Sequence, residues 1–192
     1  TLAKIFAEVH WREFLAGLQD RGLYGVRYVV SDDHAGLQAA LAARMNGVLW
    51  QRCQFHLQQN AQKYVPRVAM RRQVAADLRD VFAAAERAEA ERRLARIVEK
   101  YRDSAPKLAE WIEQNVPEGL TVLELPEPHR RRLRTTNMLE NLNRQIKRRT
   151  SVAGLFPNTE SALRLVSAVL MEQSEEWETG RIYLTMSEPE TA

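Results

Sequence analysis

The sequence predicts an α/β fold that is mostly helical. Residues 26–52 read as strand, helix and strand in close succession, the order of a parallel βαβ unit. Residues 54–114 then carry apolar side chains at helical spacing in a background rich in Ala, Arg, Glu and Gln.

The elements follow in order. Ile5, Val9, Phe14, Leu15 and Leu18 recur at helical spacing, and Gly22 is the expected stop. Val26 to Val30 is a short apolar run ending at Ser31-Asp32-Asp33, the pattern of a buried strand. A helix over 35–45 closes at Asn46-Gly47, and 48–52 supplies the second strand. Val74, Leu78, Val81 and Phe82 form one helical stripe; Leu94, Ile97, Val98 and Tyr101 form another. Ser104 to Pro106 interrupts the pattern before Leu108, Trp111 and Ile112 resume it. Proline and glycine punctuate 117–128, a loop with a candidate strand at Leu120 to Leu125. Helices are expected over 137–149 and from Pro157-Asn158 to about Trp177, with 187–192 frayed.

Bulk composition excludes some classes. At 192 residues, 45% apolar and 28% charged, the chain has the makings of a globular domain. No run approaches the roughly 18–20 apolar residues of a membrane span, so no membrane association is expected. One cysteine excludes an internal disulfide and suits a reducing cytoplasm. The first residue is Thr1 rather than methionine and opens no signal peptide.

The formal charge of +3 is unevenly placed. Between His129 and Thr150 lie eight basic residues, Arg130, Arg131, Arg132, Arg134, Arg144, Lys147, Arg148 and Arg149, against one acid, Glu140. The rest of the chain is therefore net acidic. A basic stripe on an acidic body is the footprint of a phosphate-backbone binder, whereas a solvated helix face usually mixes both signs.

Two carboxylates invite a chemical reading. Asp32 falls where a parallel strand gives way to a helix, the edge at which open α/β sheets bind ligands. The alternative is that Ser31, Asp32 or Asp33 caps the next helix. Glu140 shares a helix face with Asn143, Arg144 and Lys147, while Leu139, Leu142 and Ile146 form the buried side. Its alternative is a capping box begun by Asn137. Together the two acids suit Mg²⁺, which takes few protein carboxylates plus waters and phosphate oxygens. Cys53 and His56 have C-x-x-H spacing, but one cysteine and four scattered histidines make a poor four-ligand zinc set. A buried pair bracing the strand-to-helix junction is the preferred reading. His34 is either an auxiliary residue beside the Asp pair or simply exposed. Trp50, Trp111 and Trp177 read as core anchors, with base stacking the alternative for Trp111.

Read in order, these segments resemble the mutator-type transposases of bacterial insertion sequences. The resemblance is carried by Val30-Ser31-Asp32-Asp33-His34-Ala35-Gly36-Leu37 and by Trp50-Gln51-Arg52-Cys53-Gln54-Phe55-His56. Its longest part runs from Leu133-Arg134-Thr135-Thr136-Asn137 through Glu140 to Arg148-Arg149-Thr150, followed by Gly154-Leu155-Phe156-Pro157-Asn158. It extends from about Trp11 to about Tyr183.

The resemblance implies a ribonuclease H-like domain with an Asp-Asp-Glu triad and a helical insertion between the second Asp and the Glu. Asp32 matches the second Asp, Glu140 the Glu, and Cys53 with His56 the C-x-x-H signature. Asp33 stands where the family usually has no acid. The implied organisation is a partial ribonuclease H-like core at 1–56, a helical insertion at 57–128, and catalytic and closing helices at 129–185. The first Asp and first three strands would precede the residues present, and Asp20 does not replace that Asp. The resemblance thus implies an N-terminally truncated fragment of a DNA-cutting and DNA-joining enzyme, inactive alone. For the intact enzyme it implies Mg²⁺ or Mn²⁺, DNA as partner and a homo-oligomer. A non-catalytic DNA-binding remnant that interferes with an intact relative is the competing expectation.

Overall fold

The computed structural model describes residues 2–180 and Leu184, with side chains described from residue 8 onward. It divides into two compact units, residues 1–135 and 136–192.

The first unit opens with helix α1 (Leu2–Asp20). Leu23 N–H donates to the Leu18 carbonyl and Gly22 adopts φ +94°, the left-handed turn that ends many helices. The chain continues through β1 (Tyr28–Ser31), α2 (Ala35–Arg44) and β2 (Leu49–Arg52). The two strands are parallel, with Tyr28 opposite Leu49 and Ser31 opposite Arg52. Successive strand side chains point to opposite faces. Val29 and its partner Trp50 pack with Leu15, Leu37, Ala40 and Leu41 of α1 and α2. Tyr28 packs instead against the larger helical core.

That core is built by α3 (Gln54–Ala61), α4 (Arg71–Phe82), α5 (Arg87–Tyr101) and α6 (Pro106–Asn115). The expected stripes are buried: Val74, Leu78 and Val81 on α4, and Leu94, Ile97, Val98 and Tyr101 on α5. Pro106 opens α6, where the missing N–H costs no helical bond. Helix α7 (Glu127–Leu133) completes the unit. The second unit holds α8 (Asn137–Ala153) and α9 (Thr159–Thr179), joined through Gly154 at φ +68°.

Several expectations are corrected. Residues 120–125 form no strand; two 3₁₀ turns, Val116–Gly119 and Thr121–Glu124, occupy the region. Backbone pairing there is replaced by side chains. Gln51 Nε2 and Gln54 Nε2 each donate to the Gly119 carbonyl at 2.8 Å, and Val122 N–H donates to Gln51 Oε1 at 2.7 Å. Val9 and Phe14 are exposed, because α1 packs on α2 through Trp11, Leu15 and Leu18. Leu139 is also exposed, with Leu142 and Ile146 half-buried, since α8 packs along one narrow face onto α9. Trp177 is exposed rather than anchored in a core. The Ile5 side chain and the segment 187–192 lie outside the described residues.

Candidate active site

The parallel register determines what meets at the carboxyl end of the sheet. Ser31 and Arg52 are partners at the strand ends, so the next residues, Asp32 and Cys53, leave the sheet side by side. Cys53 N–H donates to the Ser31 carbonyl at 2.8 Å, and Trp50 Nε1 donates to Ser31 Oγ at 2.8 Å. Cys53 is the N-cap of α3 and is fully buried. His56, three residues on, lies on the same side of that helix. Its Nδ1 stands 2.5 Å from Asp32 Oδ1.

Neither aspartate caps α2. The N-cap is His34, whose Nδ1 accepts from Leu37 N–H at 3.2 Å while its ring lies edge-on to Trp11. Both aspartates are thereby available for other contacts. Asp33 Oδ2 lies 3.1 Å from Nη2 of the buried Arg52. Arg52 Nη1 donates to Asn115 Oδ1 at 2.8 Å and to Glu118 Oε2 at 2.9 Å. Its guanidinium carbon lies 5.7 Å from the centre of the Trp111 ring, and that ring stacks on Tyr64. Trp111 is therefore engaged within the protein. Asp32 is exposed, a carboxylate oxygen donor of the kind a hard cation takes. Cys53 and His56 offer sulfur and nitrogen, which suit Mg²⁺ poorly.

Glu140 belongs to the second unit. The helix begins one residue earlier than the capping-box reading requires: Thr136 is the N-cap and Asn137 is the first helical residue. Thr136 Oγ1 donates to Glu140 Oε1 at 3.1 Å, holding the half-buried carboxylate at the first turn. Helix α8 is steadied on α9 by Gln145 donating to Gln173 at 2.9 Å and by Arg149 paired with Glu172 at 2.8 Å.

The basic stripe is shared between the units: Arg130, Arg131, Arg132 and Arg134 in the first, and Arg144, Lys147, Arg148 and Arg149 in the second. Arg131, Arg134, Arg144, Lys147 and Arg148 are exposed. Arg130 is tied inward, Nε donating to the Leu125 carbonyl at 2.7 Å and Nη1 to the Ala85 carbonyl at 2.6 Å. Spacing alone missed Arg52 and the proximity of Asp32 to the Cys53–His56 pair. What joins the second is the strand register, which sets two strand-end residues side by side and which spacing does not encode.

An exposed carboxylate at the end of a parallel strand, in a chain with a strongly basic segment, marks the candidate site of an α/β protein. Comparison with known proteins narrows this. The family model described as "Transposase, Mutator family" matches residues 5–180. The chain is 53% identical over 181 residues to the transposase for insertion sequence element IS406 of Burkholderia multivorans, covering 94% of this chain and 47% of that protein. It is 42% identical to the transposase for ISRM5 of Rhizobium meliloti over 93% of this chain and 44% of the relative. It is 36% identical to the transposase for IS1081 of Mycobacterium tuberculosis over 91% and 42%. The chain belongs to the mutator family of transposases, and it spans somewhat under half the length of these relatives. Among the described residues no helix is long and apolar enough to cross a membrane.

Proposed function

We propose that this chain forms part of a ribonuclease H-like transposase that cuts and joins DNA by metal-assisted phosphoryl transfer. The supporting observation is the exposed Asp32 carboxylate at the carboxyl end of a parallel strand, in a chain of the mutator transposase family. Asp32 and Glu140 are two of the carboxylates that would hold Mg²⁺ or Mn²⁺. Such ions, when bound, activate the attacking oxygen and stabilise the leaving one. The segment 57–128 is the helical insertion of that domain, and the parts to either side belong to its core.

The chain's own residues supply position and charge. His56 holds the Asp32 carboxylate through its Nδ1 contact. Arg52 pairs with the neighbouring Asp33 and so ties the turn after β1 to the end of β2. Thr136 orients Glu140. Arg131, Arg134, Arg144, Lys147 and Arg148 meet phosphates of transposon ends or target DNA, with Arg132 and Arg149 beside them; Arg130 mainly secures α7. Chemistry of this kind tolerates misplacement of only fractions of an ångström, so the contacts that hold Asp32 and Glu140 matter as much as the carboxylates themselves.

The test is strand transfer of pre-cut transposon ends in Mg²⁺ or Mn²⁺. A polypeptide of the relatives' full length carrying this sequence is expected to transfer, and Asp32→Asn or Glu140→Gln to abolish it. Undiminished transfer by either variant refutes the assignment. The exposed basic side chains also favour a second reading, a DNA-binding remnant without chemistry. Salt-sensitive DNA retention by residues 1–192, without strand transfer by the longer polypeptide, would select it.

A further inference from the structure

The company Asp32 keeps is unusual for a site that serves only a hard cation. Asp32, Cys53 and His56 each offer one ligand atom, and these three atoms lie within 4.8 Å of one another. The Cys53 side chain is wholly buried and His56 Nδ1 is shielded from solvent, while Asp32 opens to it. Three elements converge to make the trio: the end of β1, the N-cap of α3 and the first turn of α3. The third member comes from another strand, which is why C-x-x-H spacing alone falls short of a metal site.

We propose that Asp32, Cys53 and His56 form a three-ligand site for a zinc-type divalent ion, with the fourth position open to water or a phosphate oxygen. A thiolate, an imidazole and a carboxylate are the donors Zn²⁺ takes, and three protein ligands with one open position is its usual non-structural arrangement. Ligand atoms about a tetrahedral ion at bond lengths of about 2.0–2.3 Å stand roughly 3.3–3.8 Å apart. Side-chain rotation of about 1 Å therefore closes the widest separation and opens the Asp32–His56 contact. Binding releases the Cys53 thiol proton to the buffer. His56 would ligate through Nδ1 with its proton on Nε2, so the ion takes the place of the direct Asp32–His56 contact. The zinc-type ion would take one Asp32 carboxylate oxygen and leave the other for the Mg²⁺ or Mn²⁺ of the proposed reaction, and its binding is read without DNA.

Co²⁺ is the probe, titrated into residues 1–192 after removal of adventitious metal. Cys53 is the sole cysteine, so a thiolate-to-cobalt charge-transfer band reports that residue alone. The expected result is one equivalent bound with that band, displaced by Zn²⁺ and untouched by a large excess of Mg²⁺. Cys53→Ser should remove the band, and Asp32→Asn or His56→Gln should each weaken Co²⁺ binding by tenfold or more. Cys53 is buried and its replacement can unfold the protein, so the unaltered chain and Asp32→Asn decide the matter. No charge-transfer band in the unaltered chain, displacement by Mg²⁺, or full affinity in Asp32→Asn overturns the proposal. Because strand transfer is not measured, failure here leaves the transposase reading standing, and failure of that reading leaves this one.

Discussion

Arg52 Nη2 lies 3.1 Å from Asp33 Oδ2, joining the buried end of β2 to the residue beside Asp32. The Arg52 side chain is 3% exposed, whereas those of its acidic partners Asp33 and Glu118 are 51% and 38% exposed. That asymmetry decides which substitution hurts. Asp33→Asn combined with Glu118→Gln leaves a buried cation without counter-charge and should cost about 3 kcal/mol. Arg52→Met removes the buried charge and leaves two acids that water can solvate, so it should cost about 1 kcal/mol. Urea unfolding midpoints at unchanged slope measure both. If Arg52→Met were the more damaging change, this account of the pair would fail.

Gly119 is required for closeness rather than for backbone freedom. A Cβ there would sit 3.1 Å from Leu57 Cδ1 and 3.1 Å from Phe82 Cε1, both in the helical core. Gly119→Ala must push these side chains aside and should cost about 2 kcal/mol. For a chain of this size that lowers Tm by about 6 °C. A calorimetric scan with Tm unchanged would show that the core absorbs the methyl group freely.

Asp77 of α4 links two helices. Burial pushes its carboxyl up, but hydrogen bonds from Lys100, Tyr101 and Gln73 outweigh that and hold it below the usual carboxylate range. Lys100 Nζ and Tyr101 Oη both stand 2.6 Å from Asp77 Oδ2. A carboxyl lowered on folding stabilises the native state above its unfolded pKa, and that stability is lost as pH falls through the lowered value. Stability should therefore decline below about pH 4. Asp77→Asn should cost about 2 kcal/mol at pH 7 and flatten the acid limb. An acid limb of unchanged steepness in the variant would remove Asp77 as its source.

The basic residues separate into two experimental groups. Lys147 and Arg148 are exposed, so replacing both by Ala should reduce the slope of log affinity against log salt by about 1.8 for duplex DNA. Arg130→Ala should mainly lower thermal stability, because its guanidinium binds two backbone carbonyls. Filter binding across a salt series, paired with thermal melts, distinguishes them. Equal slope losses for the double variant and for Arg130→Ala would contradict the division.

Periodic signals were legible in the sequence and irregular ones were not. The stripes at Val74–Val81 and Leu94–Tyr101 announced α4 and α5, because a buried helical face repeats at 3.6 residues. The βαβ unit was legible from its strand–helix–strand order. Residues 120–125 looked like a strand by composition, but their backbone is served by a glutamine from β2, a long-range contact that local pattern does not encode. The cap of α2 went to His34, since its ring nitrogen reached Leu37 N–H while the aspartates faced other partners. At the candidate site Asp32, Cys53 and His56 were each conspicuous by type, yet their meeting depended on a register visible only after folding.

The glutamine ties between positions 51–54 and 119–122 also bear on how such chains can be reshuffled. A hybrid that takes its strands from a relative without glutamine at 51 and 54 leaves the Gly119 carbonyl and the Val122 N–H without these partners. It strands polar groups in a dry interior, at a cost of about 1–3 kcal/mol each. Viable hybrids should therefore inherit both stretches from the same parent, with their crossovers falling outside positions 51–122.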